Sequence, residues 1–298
     1  MFGECHAHLF MDGIDYHAAV AAHKNGPDEI CIRRHLQAYK DCGVTYVREG
    51  GDHYGVSEKA RELAGEYGIE YRTPVFAIHK KGHYGKIVGY GVETLAEFHE
   101  KVLEVRRRKG DFIKIMVSGI MEYDEFGKLS EAALEKEWIR EMIHIAHEEG
   151  FAVMVHANGR EAVLPAVLAG ADSIEHGNYI DTDCMDAMAQ CGCVWVPTIV
   201  TTGNLIGCGR YDDRVLERIF DMECRNLAYA FEKGVNLAAG SDAGAYMVPH
   251  GRGIERETEI FLAASGAKPE TVMERLAAGE RKIRRTFRIE QAGNGKNT

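Results

Sequence analysis

Residues 148–159 read EEGFAVMVHANG, and residues 169–178 read AGADSIEHGN. Each closes an amphipathic run with a glycine, continues into a short apolar run, and reaches a histidine (Gly150 to His156, Gly170 to His176). A glycine at a helix end takes the left-handed conformation without a Cβ penalty. The apolar runs suit strands buried on both faces.

Outward from these two stretches the same phrase recurs. Residues 28–42 end at Gly43 before VTYVRE, 57–67 at Gly68 before IEYRTPVF, and 93–109 at Gly110 before DFIKIMV. DCMDAMAQC ends at Gly192 before CVWVPT, and the run through AYAFEK ends at Gly234 before VNLAAGSD. With an opening strand, these seven junctions predict eight strands alternating with helices. Such alternation means a parallel α/β sheet, either wound open or closed as a (β/α)8 TIM barrel. No Gly/Ser- or Pro-rich linker interrupts it, so the expectation is one domain over 1–288 and a polar, disordered tail over 289–298.

Composition removes whole classes. A net charge of −10 makes nucleic acid or an anionic membrane an unsuitable partner. The chain opens MFGECHAHLF, with neither a basic leader nor an apolar run of the roughly 18 residues a spanning helix needs. The 8 cysteines are dispersed and form no CxxC pair, which reads as reduced thiols and a cytoplasmic protein.

Polar residues choose between barrel and open sheet. His6 and His8, two apart on a strand, point to one face. His156, His176 and Asp242 (in AAGSDAG) fall at the carboxyl ends of their runs. Lys114 sits deeper, flanked by Phe112, Ile113, Ile115 and Met116. A barrel brings all strand carboxyl ends to one mouth, whereas an open sheet spreads them apart. Singly, an HxH pair or a buried lysine has ordinary explanations; jointly, these positions argue for closure around a site. A buried ammonium costs several kcal/mol unless paired or neutralised. Carbamylation by CO2 would make Lys114 an anion able to bridge two cations. Four imidazoles, a carbamate and a carboxylate suit two divalent ions, Zn2+ first and Mn2+, Fe2+ or Co2+ as alternatives.

With Glu4-Cys5-His6-Ala7-His8, Lys114, Val155-His156-Ala157, Ile174-Glu175-His176-Gly177 and Gly240-Ser241-Asp242-Ala243-Gly244, the chain resembles the amidohydrolase superfamily of metal-dependent hydrolases. GVTYVREGG, GHYG at 82–85 and VPT at 196–198 are similar to the subgroup of imidazolonepropionase-like enzymes and Xaa-Pro or Xaa-Arg dipeptidases. The resemblance implies that His6, His8 and Asp242 hold one metal, His156 and His176 the other, and carbamylated Lys114 bridges them. It further implies hydrolysis of a peptide or N-acyl amino acid amide by metal-activated hydroxide, with Asp242 as general base and then acid. His83 would contact the substrate.

The residues themselves extend this list. His79, Lys80, Lys81, His83, Tyr84, Lys86 and Tyr90 form a local basic segment suited to a carboxylate-bearing small molecule. Asn158 is placed to donate to a carbonyl oxygen, and Arg210, Tyr211 and His250 are further substrate candidates. Because HxH begins at residue 6, the expectation is a barrel without the accessory β-sandwich many relatives carry. A basic amphipathic helix after Lys268 would close the barrel's base or meet a partner subunit in a homo-oligomer. Three other readings stand beside the amidase: a lactonase or phosphotriesterase-type hydrolase on the same site, a mononuclear deaminase, and a non-enzymatic metal-binding barrel. The deaminase would call for Glu where Asn158 stands.

Overall fold

The computed structural model describes residues 3–288; the tail expected over 289–298 lies outside the described residues. Ten short strands run β1 (Glu4–Ala7), β2 (Tyr46–Glu49), β3 (Glu70–Arg72), β4 (Ala77–Lys80), β5 (Gly89–Val92), β6 (Ile113–Met116), β7 (Val153–Ala157), β8 (Ser173–His176), β9 (Val194–Val196) and β10 (Asn236–Leu237). Every ladder is parallel. The ladders make a sheet β1-β2-β3 and a sheet β10-β9-β8-β7-β6-β4-β5.

The predicted units are present, with two differences. The single strand expected after Gly68 is divided into β3 and β4, because Val75 takes φ 71° and turns the chain between them. The segment after β4, read as a loop, returns to pair with it as β5 in the register Ala77↔Gly89.

Hydrogen bonds outside the ladders join the two sheets. Cys5 N donates to Ala239 O at 3.1 Å, Asp242 N to His6 O at 2.8 Å and His8 N to Ala243 O at 2.8 Å. Buried Glu4 strengthens this seam by accepting from Ser241 N at 2.8 Å and from the Ser241 hydroxyl at 2.5 Å. On the other side, β3 and β4 belong to one continuous run of chain. Helices cover the outer face, and most of the apolar core lies between them and the strands.

A second, smaller core fills one end of the strand array. Cys5, Tyr46, Phe112, Met154, Val194 and Ala238 meet Ile283 and Phe287 there. These last two come from the end of the helix Pro269–Thr286 and the residue beyond it. The helix lies so close to β10 that a Cβ at Gly279 would fall 1.9 Å from Leu237 O. The basic helix read from sequence therefore seals the base. Among the described residues, no helix is long and apolar enough to cross a membrane.

Candidate metal centre

Above the apolar plug lies a buried polar layer. Arg48 of β2, fully buried, places its guanidinium 4.4 Å over the Phe287 ring. Its Nη2 donates to both oxygens of Glu175, at 2.8 and 2.9 Å, and its Nη1 donates to Ser173 Oγ at 2.8 Å. Nε donates to Cys5 O at 2.7 Å. An ion pair buried in this way is tolerable because each of the three guanidinium nitrogens donates to a buried acceptor.

Glu175 then carries the next layer. Its Oε2 lies 2.7 Å from His6 Nδ1, which fixes the proton on Nδ1 and leaves Nε2 free. His6 Nε2 and His8 Nε2 each lie 3.5 Å from Asp242 Oδ1. The His6 and His176 ring centroids are 4.9 Å apart, and those of His156 and His176 4.7 Å. Lys114 is 1 % exposed. Its register partner is Met154, whereas His156 pairs with Met116, so the lysine starts one strand repeat below the histidine. All six expected ligands line one cavity of about 220 Å³.

Backbone geometry brings two of them in. His156 and Glu175 are in register, and both point to the strand interior. Strict alternation would turn His176 away. His176 instead takes φ 66°, and Asp242 takes φ 59° at the corresponding point of its segment. Left-handed conformations at non-glycine residues are strained, and such strain collects at functional sites. Thr198, at φ 54°, places its hydroxyl 2.8 Å from His176 Nδ1 and leaves Nε2 for the cavity.

Electrostatics keeps these groups in metal-binding form. Burial, followed by the Lys114 charge, holds His6 well below the usual imidazole range and pushes His8 and His156 down to about 3. Burial and then neighbouring His156 do the same to His176. Neutral imidazoles are the ligand form. Burial lowers the Lys114 ammonium against the opposing pull of Glu175 and Asp242. It raises Asp242, which the Lys114 charge opposes.

The donor set fits a cation. His6, His8 and Asp242 offer ligand atoms all within 4.8 Å of one another. His6 Nε2, His8 Nδ1 and Asp242 Oδ1 are buried without a hydrogen-bond partner. An orphaned buried polar atom costs about 1–3 kcal/mol, and a divalent ion would satisfy His6 and Asp242 together.

The substrate candidates divide. Tyr84, Asn158 and Tyr211 line the cavity, and Tyr84 sits 5.2 Å from the His156 ring. Asn158 uses Nδ2 on Gly119 O at 3.1 Å and Oδ1 on Asn178 N at 3.0 Å, so its amide shapes the wall. Arg210 packs at the rim on Tyr246 and Tyr211. His79 and His83 line a neighbouring depression instead. Tyr84, Ile87 and Val88 line the cavity of the ligand candidates, while those imidazoles, with Lys86 and Tyr90, line the other depression. Lys80 and Lys81 are engaged by Glu135 and Glu93. His250 is buried among Tyr39, His35 and Met11 O, outside the cavity lining. Its imidazole fastens the chain around Met11, a cavity-lining residue.

Sequence reasoning missed Arg48, Ser173, Thr198 and the role of Glu175. A signal was present: an arginine inside VTYVRE needs a buried carboxylate, and Glu175 is the one inside ADSIEH. Also missed was the apolar and aromatic upper wall, including Met11, Met116, Met121, Tyr123 and Tyr246.

A match to the Amidohydrolase family spans residues 5–292, and the chain belongs to that family. It is 26% identical over 192 residues to the ochratoxinase of Aspergillus niger, covering 61% of this chain and 38% of that protein. An uncharacterized protein of Mycobacterium tuberculosis is 29% identical over 174 residues, 56% of this chain and 46% of that one. The matched stretches thus span less than half of these relatives. Among solved structures, a Xaa-Pro dipeptidase with bound methionine superposes at TM-score 0.74 with 22% identity, over 98% of this chain and 77% of that one. The A. niger ochratoxinase gives TM-score 0.74 with 20% identity, over 95% and 70%. A prolidase complexed with n-methylphosphonate-l-proline gives 0.77 with 20% identity, over 98% and 76%. These likenesses establish a shared fold.

Proposed function

We propose that the protein is a binuclear metal-dependent hydrolase of amide bonds, of the peptide or N-acyl amino acid type. The supporting observation is the trio His6, His8 and Asp242, whose buried donors lie within 4.8 Å of one another and include orphaned atoms. We read the described residues as a closed (β/α)8 barrel with no accessory β-sandwich among them. The seam from Glu4 to Ser241 and the sealed base support closure.

His6, His8 and Asp242 would hold one divalent ion, and His156 and His176 a second, with carbamylated Lys114 between them. Bound there, the ions would polarise the scissile carbonyl and make water acidic enough to attack near neutral pH. Zinc suits the imidazole donors first. For the carbamate, the neutral Lys114 Nζ adds to the carbon of CO2, a C=O pair moves onto oxygen, and the nitrogen gives up one of its two protons to solvent. Burial, which disfavours the ammonium, supplies that neutral amine.

The remaining steps belong to the chain's own groups. Glu175 and Thr198 orient His6 and His176 through their Nδ1 atoms. The Asp242 carboxylate, its proton affinity raised by burial, accepts a proton from the attacking water and delivers it to the leaving amine. Tyr84, Tyr123 and Tyr211 flank the cavity above and exclude bulk water. Asn158, tied to Gly119 O and Asn178 N, is not a proton shuttle, which favours amide hydrolysis over ring deamination. The test is a screen of dipeptides and N-acyl amino acids on Zn2+- or Mn2+-loaded protein. Amine release is expected; release from lactones alone would reverse the choice.

A further inference from the structure

Across the 81–88 loop from the metal centre lies an open depression of about 660 Å³, lined by His53, His79, Lys81, His83, Lys86 and Tyr90 together with glycines. None of its lining residues is acidic, although the chain carries a net charge of −10. We propose that this depression is a second ligand site, which takes a compact oxyanion, carboxylate or phosphate.

Several features make it receptive to an anion. Lys81 is paired with Glu93 at the rim, but Lys86 makes no ion pair among the described residues. His53 Nδ1 is buried without a hydrogen-bond partner. His79 uses Nδ1 on Lys80 O at 2.9 Å, so its Nε2 is the remaining polar atom. A Cβ at Gly91 would stand 3.4 Å from that Nε2, and one at Gly85 would stand 2.8 Å from the His79 Cβ. Glycine at both positions lets the chain close onto this imidazole, which is buried but still lines the depression. The nearest carboxylate to His83 is Glu131, 3.6 Å from its Nδ1, and it also accepts from Tyr84 N at 2.7 Å.

A cation is the poorer occupant. Among the described residues, the lining of this depression supplies no group of three His, Cys, Asp or Glu donors close enough together to hold a metal, as His6, His8 and Asp242 do in the other cavity. Imidazole N–H groups beside an ammonium are oxyanion ligands. The site needs neither metal nor hydrolysis, so it stands independently of the proposed reaction. Its occupant would fix the loop that presents Tyr84 to His156, because one stretch of chain forms both walls.

The experiment is a titration of the zinc-loaded full chain with inorganic phosphate, and separately with succinate, followed through the imidazole carbon-bound proton resonances. The His53 and His83 resonances are expected to shift together and saturably. The double variant H53A/K86A is expected to weaken binding roughly tenfold or more, the loss of charge-assisted hydrogen bonds. K86E alone, at an exposed side chain, provides the same readout if H53A disturbs packing on Tyr54. Saturation by phosphate only, succinate only or both supports the site and names its source. Shifts confined to His156 and His176, or unchanged affinity in the variants, would overturn it.

Discussion

Oε2 of Glu175 lies 2.7 Å from Nδ1 of His6, and the same carboxylate is gripped by fully buried Arg48. One residue thus links the sealed base of the strand array to a metal-ligand candidate. Glu175→Gln would leave the Arg48 charge unpaired and His6 without its orienting anion. The expected cost is about 3–5 kcal/mol of stability and a metal affinity weaker by about 10–100-fold. Denaturant unfolding and a zinc-chelator competition measure the two effects separately.

Lys114→Ala is expected to remove activity, since no other group on β6 could bridge two ions. Short carboxylic acids added to the variant should restore part of the rate by supplying the missing anion. Steady-state rates with and without acetate or propionate check this. Wild-type rates in the variant without additive would rule out a bridging lysine.

The base plug should behave differently. Phe287→Ala removes a fully buried ring that stacks under Arg48 and packs edge-on to Phe112 at 5.3 Å. The expected loss is about 3–5 kcal/mol, with metal stoichiometry unchanged at temperatures where the variant is folded. Thermal unfolding alongside metal analysis separates this structural role from a role at the site.

Stability should also carry a signature of Glu257. Burial pushes its carboxyl up to about 8, although it accepts from Ile199 N at 3.1 Å and Val200 N at 2.7 Å. A folded value above the unfolded one means that the folded state binds the proton more tightly. Its contribution is therefore complete below about pH 4.5 and is lost as pH rises through about 8. Glu257→Gln should flatten the stability profile between those limits by up to about 1.4 kcal/mol per pH unit. Urea midpoints measured across that range test it.

Much of this was readable in the sequence because local chemistry determines it. Glycine after each amphipathic run and a buried apolar strand after each glycine place β2, β6, β7, β8 and β9, and His156 and His176 fall at the carboxyl ends of β7 and β8. Other features depend on contacts between distant segments. The turn at Val75 that divides β3 from β4, and the left-handed backbones that bring His176 and Asp242 inward, are imposed by tertiary packing rather than by residue type. The segment from His79 to Tyr90 shows the limit most clearly. Its charge was legible, but the side of the loop each residue faces was not. Tyr84 turns to the metal centre while His79 and His83 turn away. The pairing of Arg48 with Glu175 likewise joins strands far apart in the chain.

The central claim is that two ions on this donor set drive amide hydrolysis. The direct measurement is amine release from a reactive N-acyl amino acid or dipeptide as zinc is added stepwise to metal-free protein. The account predicts no release without metal and a rate that climbs to a plateau at about two equivalents per chain. A plateau at one equivalent, or no amine from any amide while lactones are opened, would contradict it.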